Sequence, residues 1–215
     1  MKTALLLIDL QNDFCPAGAL AVTDGDKVIG VANQAIELCQ KRDYSIIASQ
    51  DWHPANHRSF AVNSNAQPGT IGDLNGLTQV WWPVHCVQHQ PGADFHPHLN
   101  SSAIQQVFRK GQDPEIDSYS AFFDNGRRAK TALDDWLKAQ SINRLLVMGL
   151  ATDYCVKYSV LDALTLGYET WVITEGCRGV NLQPQDSELA LIEMRSAGAQ
   201  LVSLSQIAER LDGIR

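Results

Sequence analysis

Gly149-Leu150-Ala151-Thr152-Asp153-Tyr154-Cys155-Val156 leads from an apolar run into a helical pattern. A cysteine in the first turn of a helix meets unpaired N–H groups and the positive end of the dipole, and both stabilise a thiolate. The same N–H groups suit a developing oxyanion. The chemistry would be nucleophilic attack on a carbonyl carbon. An inert buried thiol is the competing reading, and Cys15, Cys39, Cys86 and Cys177 are assigned to it. Asp9 stands directly after the apolar run Ala4–Ile8. Desolvation there raises a carboxyl pKa and makes a better base, although aspartates at turns are also common. Lys110 near these two groups would favour their charged forms; taken alone it reads as a surface lysine.

A second group suggests a metal. In Asp51-Trp52-His53 the first and third residues share one side of an extended segment. His57 follows closely, and His85 lies in Trp81-Trp82-Pro83-Val84-His85-Cys86. Mixed Asp and His ligands suit zinc, iron or manganese, and an open position leaves room for water or substrate. His89, His96 and His98 have no such context and read as surface residues. Phe14, Trp52, Trp81, Trp82 and Tyr119 could stack a flat substrate or simply pack a core.

The elements that must position these groups alternate. Strands are expected at Thr3–Ile8, Ser45–Ser49, Ala103–Arg109, Leu145–Gly149, Thr170–Thr174 and Gln200–Ser203. Helices are expected at Asp26–Lys41, Thr131–Gln140, Asp153–Leu166, Gln185–Ser196 and Gln206–Leu211. Residues 50–100 show no sustained period and read as a long functional loop. Alternation of this kind implies a doubly wound parallel sheet with helices on both faces, and ligands then gather at the carboxyl ends of its strands. Asp9, Asp51, His53, Lys110 and Cys155 all fall at that rim.

Length and composition set the frame. At 215 residues, one domain over residues 1–215 is the default. The net charge is −7 and no Lys/Arg run occurs, which speaks against nucleic acid and anionic membrane surfaces as partners. The early apolar run is too short for a signal peptide or a membrane span, so a cytoplasmic protein is expected. Five widely spaced cysteines do not form a disulfide framework.

Together the segments Leu7-Ile8-Asp9-Leu10-Gln11-Asn12-Asp13-Phe14, Ser49-Gln50-Asp51-Trp52-His53-Pro54, Trp82-Pro83-Val84-His85-Cys86-Val87, Lys110-Gly111, Asp117-Ser118-Tyr119-Ser120-Ala121-Phe122 and Gly149–Val156 resemble the nicotinamidase/pyrazinamidase branch of the isochorismatase-like cysteine hydrolases. The resemblance runs from Ala4 to about Ser203. It implies a catalytic triad of Asp9, Lys110 and Cys155 and a cis Leu150–Ala151 peptide. It implies an oxyanion hole from the amides of Ala151 and Cys155. Phe14, Trp82, Tyr119 and Leu150 would bind the substrate ring. Asp51, His53 and His85 would hold one divalent transition metal, zinc or iron, with manganese also open; His57 would be a ligand either directly or through water. The implied reaction is hydrolysis of nicotinamide, and of pyrazinamide, to the acid and ammonia through a cysteine thioester, in NAD salvage. A homo-oligomer is compatible with it. Two other readings stay open: a related amidase acting on ureido or carbamoyl substrates, and a non-catalytic metal- or ligand-binding module.

Overall fold

The computed structural model describes residues 1–212. In chain order its main elements are β1 (Thr3–Ile8), α1 (Lys27–Gln40), β2 (Ser45–Asp51), β3 (Ile71–Leu74), β4 (Leu77–Val80), β5 (Gln106–Lys110), α2 (Leu133–Ala139), β6 (Arg144–Leu150), α3 (Lys157–Thr165), β7 (Glu169–Arg178), α4 (Asp186–Ser196), β8 (Gln200–Val202) and α5 (Leu204–Asp212). Every residue of β1 and β6 is buried. Side chains alternate between faces along a strand, so both faces of these strands are covered. Leu5, Leu6, Leu7 and Ile8 are fully buried, each stabilising the fold by roughly 1.5–3 kcal/mol.

The sheet has six strands in the order β5-β2-β1-β6-β7-β8. All of its ladders are parallel, and helices flank it. Helix α1 turns Val28, Ala32, Ala35, Ile36 and Cys39 inward and packs on β1, β2 and β7. The chain runs outward from β1 through β2 to β5, then returns to β6 on the other side of β1. That reversal opens a crevice at the carboxyl ends of β1 and β6, where ligands bind in sheets of this kind. Among the described residues, no helix is long and apolar enough to cross a membrane.

Several elements differ from expectation. Residues 50–100 contain the β3–β4 hairpin, turned by Asn75-Gly76 with φ of 53° and 83°, the left-handed pair of a tight hairpin turn. Strand β5 begins later than expected and includes Lys110. Strand β7 runs on to Arg178, with a register irregularity opposite Val147/Gly149. The helix expected to begin at Asp153 starts with a π-helical turn over Thr152–Val156, and α3 follows it.

Gly149 sits where β1 and β6 meet at the crevice. Its φ is +139°, and an added Cβ would lie 2.1 Å from the Ile8 carbonyl oxygen. Both partners are backbone in a buried ladder, so neither can yield cheaply. Gly149→Ala is expected to destabilise the protein by about 2–4 kcal/mol, read as a lowered urea midpoint; an unchanged midpoint would contradict this packing.

Candidate active site

Register brings the charged residues together. Asp51 at the end of β2 lies opposite Lys110 at the end of β5. Asp9 follows β1 directly, and Cys155 follows β6 in the π-helical turn. The Lys110 side chain is fully buried and lies 2.8 Å from Asp9 Oδ2 and 2.7 Å from Asp51 Oδ1. Its Nζ also donates to the Ser118 carbonyl at 3.0 Å and approaches Cys155 Sγ at 3.3 Å. Ser49 Oγ donates to Asp9 Oδ1 at 2.6 Å. The surface lysine considered from sequence is therefore the hub of the site.

The protonation states follow from burial and this one cation. Burial works against the Lys110 charge, but Asp51 and Asp9 outweigh it and hold the pKa well above the ordinary lysine value. Burial raises the Asp9 carboxyl, and Lys110 only partly offsets that. Asp51 is also buried, yet Lys110 and His53 hold it well below the usual carboxylate range. Cys155 corrects the sequence expectation of a depressed thiol. Burial pushes its pKa well above the ordinary value, and Lys110 does not cancel this against the nearby Asp9 and Asp51 charges. This burial holds Cys155 as a thiol, which would need a base beside it to act as a nucleophile. The other four cysteines are free and buried.

Asp51, His53 and His85 place one ligand atom each within 4.8 Å of one another. Asp51 Oδ2 is 3.3 Å from His53 Nε2 and 3.6 Å from His85 Nε2. His53 Nδ1 bonds the Gly111 carbonyl and His85 Nδ1 bonds the Pro83 carbonyl, both at 2.8 Å. Carbonyls only accept, so both Nδ1 atoms carry protons, and both Nε2 atoms, turned toward the carboxylate, would offer lone pairs to a cation once free of a proton. Two lone pairs and an anion converging on one point fit a cation. Gln11 clamps Asp51 by accepting from its N–H at 2.9 Å and donating to its carbonyl at 2.8 Å. Asp13 fixes the segment after His85 by accepting from Cys86 N–H at 2.7 Å. His57 is buried beside this group, its ring centroid 4.4 Å from that of His53. Burial and the neighbouring His53 lower its pKa to about 4.

A narrow cavity of about 20 Å³ lies over these groups. Phe14, Trp82, Tyr119 and Ala151 line it, as do Leu20, Asp117, Tyr154 and Val180. Trp82 Nε1 donates to Tyr119 Oη at 3.2 Å. Leu150 is fully buried in the core and its side chain does not line the cavity. Its place in the site is the backbone, where the Leu150–Ala151 peptide is cis.

The Isochorismatase domain family matches residues 3–206. The nicotinamidase of Escherichia coli (strain K12) is 62% identical over 206 residues, spanning 96% of this chain and 97% of that protein. This chain belongs to the isochorismatase family. A solved Acinetobacter baumanii nicotinamidase/pyrazinamidase is 39% identical, with a TM-score of 0.91 over 96% of this chain and 98% of that one. A Pyrococcus horikoshii pyrazinamidase, solved in complex with zinc, is 35% identical, with a TM-score of 0.78 over 95% and 100% of the two chains.

This family member brings Asp9, Lys110, Cys155, Asp51, His53 and His85 to one end of the sheet. Two of the aromatics for which stacking or core packing stayed open take the packing role. Trp81 packs in a satellite cluster with Ala61 and Leu74, and Trp52 is covered by the Arg109 guanidinium at 3.9 Å. Sequence reasoning missed Gln11, Asp13, Asp117, Tyr154 and Val180. For Gln11 and Asp13 a signal existed: polar side chains repeating every second residue beyond a wholly apolar strand.

Gly111, at φ +67°, leaves room for His53, since an added Cβ would lie 2.4 Å from the His53 ring. Gly111→Ala is expected to weaken metal binding by about 10–100-fold, measured by competition with a chelator; unaltered affinity would contradict the cluster. Protons should compete for the same group. Despite burial, Asp51 raises the His53 pKa above the ordinary imidazole value, so competition begins above about pH 6.5 as pH falls. Metal affinity is expected to be at least about tenfold weaker near pH 6 than near pH 8. A flat profile would exclude His53 as a ligand.

Proposed function

We propose that this protein hydrolyses nicotinamide to nicotinate and ammonia, with pyrazinamide as a second substrate. The observation that carries the reading is Lys110 Nζ lying 2.8 Å from Asp9 and 3.3 Å from Cys155, the sulfur that lines an aromatic cavity. The similarity to nicotinamidases over nearly the whole chain supports it.

Asp9, with its raised pKa, accepts the Cys155 proton as sulfur attacks the carboxamide carbon. The amides of Ala151 and Cys155 stabilise the oxyanion. Asp9 then delivers its proton to the leaving nitrogen, ammonia departs and a thioester remains. Water attacks the thioester with Asp9 again as base, and the acid is released. Lys110 orients Asp9 and offsets the negative charge that passes between carboxylate and sulfur. Asp51, His53 and His85 hold a divalent ion, zinc or iron by their donor types; when bound, it offers the ring nitrogen a coordination site that fixes the amide at Cys155. His57 stands beside this group and would meet the ion either directly or through water. An amidase for ureido or carbamoyl substrates would not need the Asp51–His53–His85 group.

Tyr119 and Tyr154 form the wall on the open side, since both line the cavity and an outer groove of about 580 Å³.

Cys155→Ala is expected to lower ammonia release from nicotinamide at least about 1,000-fold while metal content stays at the wild-type level. Chelation of the wild type should also reduce release. A Cys155→Ala protein that keeps the wild-type rate would overturn the scheme.

A further inference from the structure

The turn that carries Cys155 also holds a buried carboxylate that no step of the mechanism uses. Asp153 lies in the Thr152–Val156 turn and is 5% exposed. Its carboxylate reaches out of that turn. Oδ1 accepts from the Val180 N–H at 2.9 Å and Oδ2 from the Asn181 N–H at 2.7 Å, 27 and 28 residues further along the chain. Bonds from backbone amides to an ionised carboxylate are among the stronger hydrogen bonds in a protein, so this pair ties the two segments firmly.

The segment it ties down is a wall of the cavity. Strand β7 pairs Cys177 and Arg178 with Gly149 and Leu150, and ends there. Beyond Arg178 the carboxylate takes the N–H groups that a neighbouring strand would otherwise have bonded. Val180 lines the cavity together with Ala151 and Cys155. Asn181 follows at φ +53°, and its Oδ1 accepts from the Ser187 N–H at 2.9 Å, which joins the segment to the start of α4. Gly179 allows the close approach: an added Cβ would lie 1.8 Å from Ser187 Oγ and 3.1 Å from Asp153 Oδ1.

We propose that Asp153 is a positioning residue that sets the width of the cavity: its carboxylate holds Val180 at a fixed distance from the Cys155 turn, and Val180 packs on the substrate ring. Asp153 acts through Val180 and not on the reacting atoms. An apolar wall meets a flat ring equally well before and during attack on its carboxamide. The contact therefore contributes to substrate affinity and leaves the chemical step alone. The inference rests on the nicotinamide reading above and adds Asp153 and Val180 to it.

The test is steady-state hydrolysis of nicotinamide by zinc-loaded full-length protein, for wild type, Asp153→Asn, Val180→Ala and the double variant. Asparagine keeps the shape but sets its own N–H donors against a backbone N–H. Alkylation of Cys155 by iodoacetamide is followed beside it, as a measure of the nucleophile turn. Each single variant is expected to raise KM about tenfold, with kcat within about threefold of wild type and an unchanged alkylation rate. The double variant should have a KM within about twofold of the poorer single one, because both changes act on one wall. Gly179→Ala keeps the carboxylate but crowds the segment off it. It should raise KM in the same way, and it decides the matter if Asp153→Asn does not fold. An unchanged KM, a loss confined to kcat with slowed alkylation, or single effects that multiply in the double variant overturns the inference and leaves the nicotinamide reading standing. Wild-type protein that releases no ammonia from nicotinamide overturns that reading and this inference together.

Discussion

A single buried ammonium holds the site together. Lys110 meets Asp9, Asp51, the Ser118 carbonyl and Cys155 with its side chain out of reach of solvent. A charge taken this far from water is tolerated only when paired and hydrogen-bonded on several sides. Lys110 therefore depends on β5, β2 and β1 lying side by side with their carboxyl ends level. The parallel sheet supplies that alignment, and its reversal between β1 and β6 brings Cys155 to the same point.

The same ammonium joins two halves of the chemistry. Asp51 gives Oδ1 to Lys110 and turns Oδ2 toward His53 and His85. One carboxylate thus links Lys110, Asp9 and Cys155 to the Asp51–His53–His85 group. Gln11 fixes that carboxylate from the backbone side. The apolar strand thereby leads into a polar segment whose alternate members each hold a different part of the site: Asp9 against Lys110, Gln11 on Asp51, Asp13 behind His85.

Much of this was legible in the chain. Apolar runs bounded by polar residues located the central strands, because a strand covered on both faces has no polar alternation to hide it. The rim rule for parallel sheets then gathered Asp9, Asp51, Lys110 and Cys155. What failed depended on tertiary context. The thiol of Cys155 was expected to be acidic from its helix position, but the burial that makes the site reverses this. Leu150 was expected to meet substrate, and its side chain lies in the core instead. The β3–β4 hairpin was missed although Asn75-Gly76 is a strong turn signal, since the short strands beside it carry little alternation. Asp117 and Tyr154 gave no signal, as their roles come from neighbours far away in sequence.

The most direct test of this account replaces the hub. Lys110→Gln removes the charge and keeps much of the length. Nicotinamide hydrolysis by the purified variant, with folding verified by circular dichroism, is expected to fall at least about 1,000-fold below wild type. A folded Lys110→Gln protein that releases ammonia within about tenfold of wild type would contradict the central place given to this lysine.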